Sequence, residues 1–145
     1  MEPLGRPAEI LLIEDNPGDV ELIQEAFHGG RVLNHISLAI DGEQAIAFLK
    51  RESGYEAAPR PDLILLDLNI PKKNGFEVLK EIRERPELSR IPVVILTSSQ
   101  AEGDIVKSYD LHANCFISKP VDVDEFLELV RSTGEFWLSL VKLSG

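Results

Sequence analysis

Cysteine is almost absent from this chain: Cys115 stands alone among 145 residues. No internal disulfide can form, and a reducing cytoplasm is the expected compartment. Between Phe116 and Ile117, Cys115 reads as a small buried filler. Basic charge is also scarce. Fifteen Lys and Arg stand against 25 Asp and Glu, for a net charge of −10. Such a surface repels phosphate backbones and anionic lipids, so neither nucleic acid nor membrane is an expected partner. No apolar run approaches the ~20 residues that span a bilayer. The opening MEPLGRPAE lacks the basic segment and apolar stretch of a signal peptide. There is no internal repeat, no low-complexity segment and no glycine-rich phosphate cradle. The length suits one domain with a proper core.

What is present alternates between strand and helix periodicity. EILLIED (9–15) is an apolar run closed by two acids. Residues 16–30 read as a helix: Asn16 can cap, Pro17 suits the first turn, Val20, Ile23 and Phe27 share a face, and Gly29 and Gly30 stop it. HISLAI (35–40) sets Ile36, Leu38 and Ile40 on one side of a strand. Residues 41–52 are helical, with Ala45, Ile46 and Leu49 inward, and 53–61 form a Gly- and Pro-marked loop. A strand over 62–67 and a loop over 69–75 follow. The next helix, 76–84, packs through Phe76, Leu79 and Ile82 and turns Glu77, Lys80, Glu81 and Glu84 to water. A strand at 92–99, a weaker helix at 101–113 anchored by Ile105 and Tyr109, a strand at 115–118 and a helix at 122–143, bent at Gly134, complete the pattern. Five strands alternating with five helices predict an α/β fold, an open and mainly parallel sheet covered on both faces.

In such sheets ligands bind beyond the carboxyl ends of the strands. Those ends carry Glu14 and Asp15, then Asp67, then Thr97 with Ser98 and Ser99, then Lys119 and Pro120. Parallel strands bring them to one rim. Three carboxylates at short range repel one another unless a cation joins them. A hard divalent ion such as Mg²⁺ takes a few protein oxygens and keeps several waters. With an ammonium from Lys119 and a hydroxyl from Thr97, the set suits a phosphoryl group.

The segments IED (13–15), LLDLNIPKKNG (65–75), LTSS (96–99) and SKP (118–120) resemble, in order and spacing, the receiver domain of two-component response regulators. The resemblance covers residues 9–143, leaving 1–8 as an N-terminal tail. It implies a flavodoxin-like (βα)5 doubly wound sheet of strand order 2-1-3-4-5. It implies Asp67 as the phosphoacceptor, a carboxylate nucleophile forming an acyl phosphate. Asp15, Asp67 and the backbone carbonyl of Asn69 would ligate Mg²⁺, and Glu14 would act through a coordinated water. Lys119 would pair with Asp67 and then with a phosphoryl oxygen, and Thr97 would turn its hydroxyl to that group. Phe116 stands at the family's aromatic switch position, often Tyr, and keeps the ring without the hydroxyl. The Lys119–Pro120 bond matches the family's cis peptide. The implied donor is a sensor histidine kinase. DLNIPKKNG, SYDLHANCFISKP and FWLSLV are similar to single-domain regulators of bacterial phytochrome-type histidine kinases.

Other readings stand beside this one. Taken alone, Asp67 is a loop acid that caps a turn, and Thr97 is a β-branched strand residue. An aspartyl-phosphate phosphatase would want a second Asp two positions after the nucleophile, where this chain has Asn69. A degenerate receiver serving only as a binding module would lack an acid or the lysine, and none is missing. Lys72 and Lys73 read as a solvated basic tip; His28, His35 and His112 have no metal or relay spacing. In the last helix Phe126, Val130, Thr133, Trp137 and Leu140 form one face, while Phe136, Leu138, Val141 and Leu143 lie elsewhere. That excess fits either further core contact or a homodimer interface through the last strand and helix. No residues are left over for an output domain, so the signal is expected to pass by protein contact, by dimerisation or onward along a phosphorelay.

Overall fold

Strands β1 (Ala8–Ile13), β3 (Leu63–Asp67) and β4 (Val93–Ser98) form the middle of a parallel sheet ordered β2-β1-β3-β4-β5. β2 is Asn34–Ala39 and β5 is Cys115–Lys119. The structure is a computed structural model describing residues 7–28, 33–98, 113, 115–119 and 123–144; at 97, 98, 115, 116, 118, 119 and 139–144 it describes the backbone alone. The helix expected over 101–113 and the cis bond expected at Pro120 lie outside the described residues.

The central strands are apolar without interruption because both their faces are covered. Side chains alternate between two cores. Leu11 and Ile13, Ile64 and Leu66, and Val93 and Ile95 join one cluster. Ile10 and Leu12, Leu63 and Leu65, and Val94 and Leu96 join the other. Helices α2 (Gly42–Lys50) and α3 (Gly75–Glu84) close the first face through Ala45, Ile46, Phe48, Leu49, Val78, Leu79 and Ile82. Helices α1 (Pro17–His28) and α4 (Val123–Ser144) close the second through Val20, Ile23, Phe27, Phe126 and Val130. Each fully buried Leu or Ile contributes about 1.5–3 kcal/mol, and the three central strands hold most of them.

Local chemistry sets the helix starts. The Asn16 side chain accepts the Asp19 amide, as its cap position requires. Asp41 caps α2 through Gln44. Asn74 and Glu77 exchange reciprocal hydrogen bonds as a capping box for α3.

Several expectations need correction. On α3, Val78 is fully buried while Phe76 only packs against the core edge. Glu81 does not simply face water: it meets Lys73 at 2.7 Å and Lys50 at 3.8 Å. That hydrogen bond, against a smaller desolvation penalty, raises the Lys73 pKa. Lys72 is exposed, as a solvated tip should be, and also meets Asp41 at 3.6 Å. α4 is one continuous helix through Gly134. Its inward stripe runs Phe126, Val130, Gly134, Leu138, with Trp137 of the expected line half-buried against the same core; the side chains of Leu140, Val141 and Leu143 lie outside the described set. Phe136 points outward, 58 % exposed. No described helix is long and apolar enough to cross a membrane.

Gly134 marks a close crossing, not a bend. A Cβ there would lie 2.4 Å from the Phe27 ring, so α1 and α4 can approach only over a glycine. Gly134→Ala gains about 1 kcal/mol of helix propensity but overpacks a ring that is itself buried, at about 1–3 kcal/mol. Net destabilisation in urea unfolding is expected. Phe27→Leu added to Gly134→Ala should recover part of the loss, a non-additivity that a merely local helix effect would not produce.

Candidate functional site

β1 and β3 are adjacent and parallel, with Ile13 opposite Leu66. The chain therefore delivers Glu14 and Asp15 just past β1 beside Asp67, the last residue of β3. One carboxylate oxygen from each of Glu14, Asp15 and Asp67 lies within 4.8 Å of the others. Glu14 is fully buried and Asp67 is 4 % exposed, while Asp15 opens to solvent. They line a cavity of about 400 Å³ together with Asn69 and with Asn16, Pro17 and Asp19 from the start of α1.

Backbone donors hold two of the acids. Asp67 Oδ1 accepts the Asn69 amide at 2.8 Å. Glu14 Oε2 accepts the Asn16 amide at 3.3 Å, and the Glu14 amide donates to Ala39 at 3.0 Å. The first turn of α1 adds the partial positive charge of a helix N-terminus to the cavity wall.

The loop after Asp67 is folded back tightly. The Gly75 amide donates to the Leu68 carbonyl at 3.1 Å. A Cβ on Gly75 would lie 2.5 Å from Leu68 Cα and 2.8 Å from the Asp67 carbonyl oxygen. Any larger residue at the start of α3 would push on the backbone that carries the acid.

Of the residues expected at the rim, Glu14, Asp15, Asp67 and Asn69 are brought together. Thr97 lies one residue past Leu96, the β4 partner of Asp67, and opposite Ser118 of β5. Lys119 ends β5 opposite Ser98, and Phe116 lies opposite Ile95. The side chains of Thr97, Phe116, Lys119 and Cys115 are outside the described set. Two features escaped the sequence reading. Asn16 and Asp19 line the cavity, although Asn16 had been recognised only as a cap. Asp41 is 5 % exposed, although the DG pair that opens α2 signalled no more than a helix start. His28 is exposed, and exposed His35 meets Glu9 at 2.9 Å; His112 lies outside the described residues.

The acids fit a divalent cation chemically. Three carboxylates form an all-oxygen donor set, and their spacing lets some ligate directly and others through water. Soft metals, which favour Cys and His, find no thiol or imidazole among the described groups of the cavity.

A family model described as the response regulator receiver domain matches residues 10–131. Response regulator Rcp1 of Synechocystis sp. is 45 % identical over 137 residues, spanning 94 % of this chain and 93 % of its own. The crystal structure of the phosphorylated cyanobacterial phytochrome response regulator RcpA superposes with a TM-score of 0.88 at 49 % identity, covering 93 % of this chain and 96 % of that one. The Mn²⁺-bound form of Rcp1 gives a TM-score of 0.86 at 45 % identity, covering 91 % and 95 %. With the sheet order, the acidic rim and a match over most of its length, the chain belongs to the response regulator receiver domain family and is similar throughout to phytochrome response regulators.

Proposed function

We propose that this protein is a phosphoacceptor in two-component signalling, with Asp67 as the acceptor. The observation that carries the reading is the convergence of Glu14, Asp15 and Asp67 within 4.8 Å at the ends of β1 and β3. A carboxylate oxygen of Asp67 attacks the phosphorus of a phosphohistidine on a sensor histidine kinase. The P–N bond breaks, its electron pair stays with the imidazole, and the imidazole takes up a proton. An acyl phosphate remains on Asp67. Similarity to phytochrome response regulators supports a phytochrome-type kinase as the donor.

Asp15, Asp67 and the Asn69 carbonyl would hold Mg²⁺, with Glu14 acting through a water; the Mn²⁺-bound state of Rcp1 supports a divalent ion at such a site. Bound there, the ion neutralises charge on the transferring phosphoryl oxygens. Lys119 supplies a second positive charge and Thr97 a hydroxyl donor, both from strand ends on the same rim. Phe116 on β5 is the aromatic partner of Thr97 in the switch between two states. Asn69 stands where a phosphatase would need its second acid, which argues against multiple-turnover hydrolysis. The single cysteine supports a reducing cytoplasm as the compartment.

The output is a protein contact, and a homodimer through β5 and α4 is the form we assign it. Leu129 and Phe136, spaced seven residues apart on α4, are 41 % and 58 % exposed, and Phe136 stacks edge-on with Trp137. Sedimentation should detect a dimer that Phe136→Glu weakens; a monomer at micromolar concentration, phosphorylated or not, sinks the dimer.

Acetyl phosphate with Mg²⁺ should place one phosphoryl group on the protein, detected by intact mass. Asp67→Asn should abolish the adduct, as should removal of Mg²⁺ by chelation. Turnover of many equivalents without an adduct would favour the hydrolase, and no adduct at all would leave a binding module. Asp15→Asn and Glu14→Gln should each weaken Mg²⁺ binding, measured by calorimetry, by about 10–100-fold. Unchanged affinity in both would remove the acidic cluster from the metal site.

A further inference from the structure

The start of α2 touches the loop that carries Asn69. Asp41 is 5 % exposed and sits just past β2. Its Oδ1 accepts the Gln44 amide at 2.7 Å, and its Oδ2 meets Lys72 Nζ at 3.6 Å. The next residue, Gly42, donates its amide to the Pro71 carbonyl at 3.2 Å. A Cβ on Gly42 would fall 1.7 Å from the Lys73 carbonyl oxygen, so the loop lies directly on the glycine. Lys72 holds a left-handed backbone, φ +67°, which a lysine keeps only where its surroundings over-determine it. On the other flank Lys73 is bound to Glu81 of α3 at 2.7 Å.

We propose that Asp41 and Gly42 are positioning residues for the metal site: they clamp residues 71–73 and thereby set Asn69 beside Asp67. They touch neither the metal nor the phosphoryl group. Their action runs through the backbone between Pro71 and Asn69, whose amide already binds Asp67 Oδ1. Asp41 serves three ends at once, since one buried carboxylate caps α2, pairs with Lys72 and places Gly42 under the loop. The proposal rests on the metal reading of Glu14, Asp15, Asp67 and Asn69, which can be tested separately.

Calorimetric Mg²⁺ titration and residue-resolved amide hydrogen exchange on the full chain provide the two readouts. Gly42→Ala should weaken Mg²⁺ binding by about tenfold or more, the scale seen when outer partners of metal ligands are lost, and accelerate exchange over residues 68–75. Asp41→Ala should do the same. Asp41→Asn keeps the cap but loses the charge pair with Lys72, so its effect should be smaller and of the same sign. Gly134→Ala, destabilising on the opposite face of the sheet, should leave Mg²⁺ affinity unchanged. If folded Asp41→Ala and Gly42→Ala bind Mg²⁺ as the wild type does, with unchanged exchange over 68–75, the proposal is overturned while the metal reading stands. If the wild type itself binds no Mg²⁺, the metal reading fails, and the exchange data alone decide whether Asp41 and Gly42 clamp the loop.

Discussion

Two carboxylates are held out of water at the ends of neighbouring hydrophobic strands, with a third alongside. Desolvation and mutual repulsion both oppose that arrangement. Glu14 and Asp67 sit there because β1 and β3 are the best-buried parts of the molecule, and strand ends cannot move independently of the strands. The same two-sided core that fixes the acids supplies the free energy that offsets them. Amides of Asn16 and Asn69, and the first turn of α1, place fixed donors and partial positive charge around the carboxylates.

The loops at this rim are held with equal care. Gly75 lies against the backbone of Asp67 and Leu68, and Gly42 lies against the carbonyl of Lys73. Neither glycine is needed for a positive φ; each is needed because another backbone occupies the space a side chain would take. Ion pairs then tie the loop to both neighbouring helices, through Lys72 with Asp41 and Lys73 with Glu81. A site that must receive and later release a charged group benefits from ligands that are preorganised, because little reorganisation is left for the moment of transfer. Outward on α4, Leu129 and Phe136 leave apolar surface on the face turned away from the core, which suits a protein contact more than further packing.

Much of this was legible in residue order. Uninterrupted apolar runs over 10–13 and 63–66 announced strands covered on both sides, and the acids that follow them announced the rim. Asn16 marked one helix start, and the helices expected from residues 41 and 76 also begin within a residue of expectation. Misreadings came where a pattern had two geometrical solutions. The apolar positions of α4 allow more than one inward line, and the one taken runs through Gly134 and Leu138. Gly134 could bend a helix or let another helix approach, and only the ring of Phe27 decides between them.

Periodicity and strand-end chemistry, both local properties of the chain, sufficed for the α/β class, the order of elements and the identity of the acids, because side-chain alternation and helix capping act over a few residues. Strand order was legible only through the family resemblance, while how near Glu14, Asp15 and Asp67 come, and which helix start braces the loop beside Asp67, depended on contacts between segments tens of residues apart. Those distances follow from sheet register and from steric contacts at Gly42, Gly75 and Gly134, and none of these exists until the sheet and its helices are assembled.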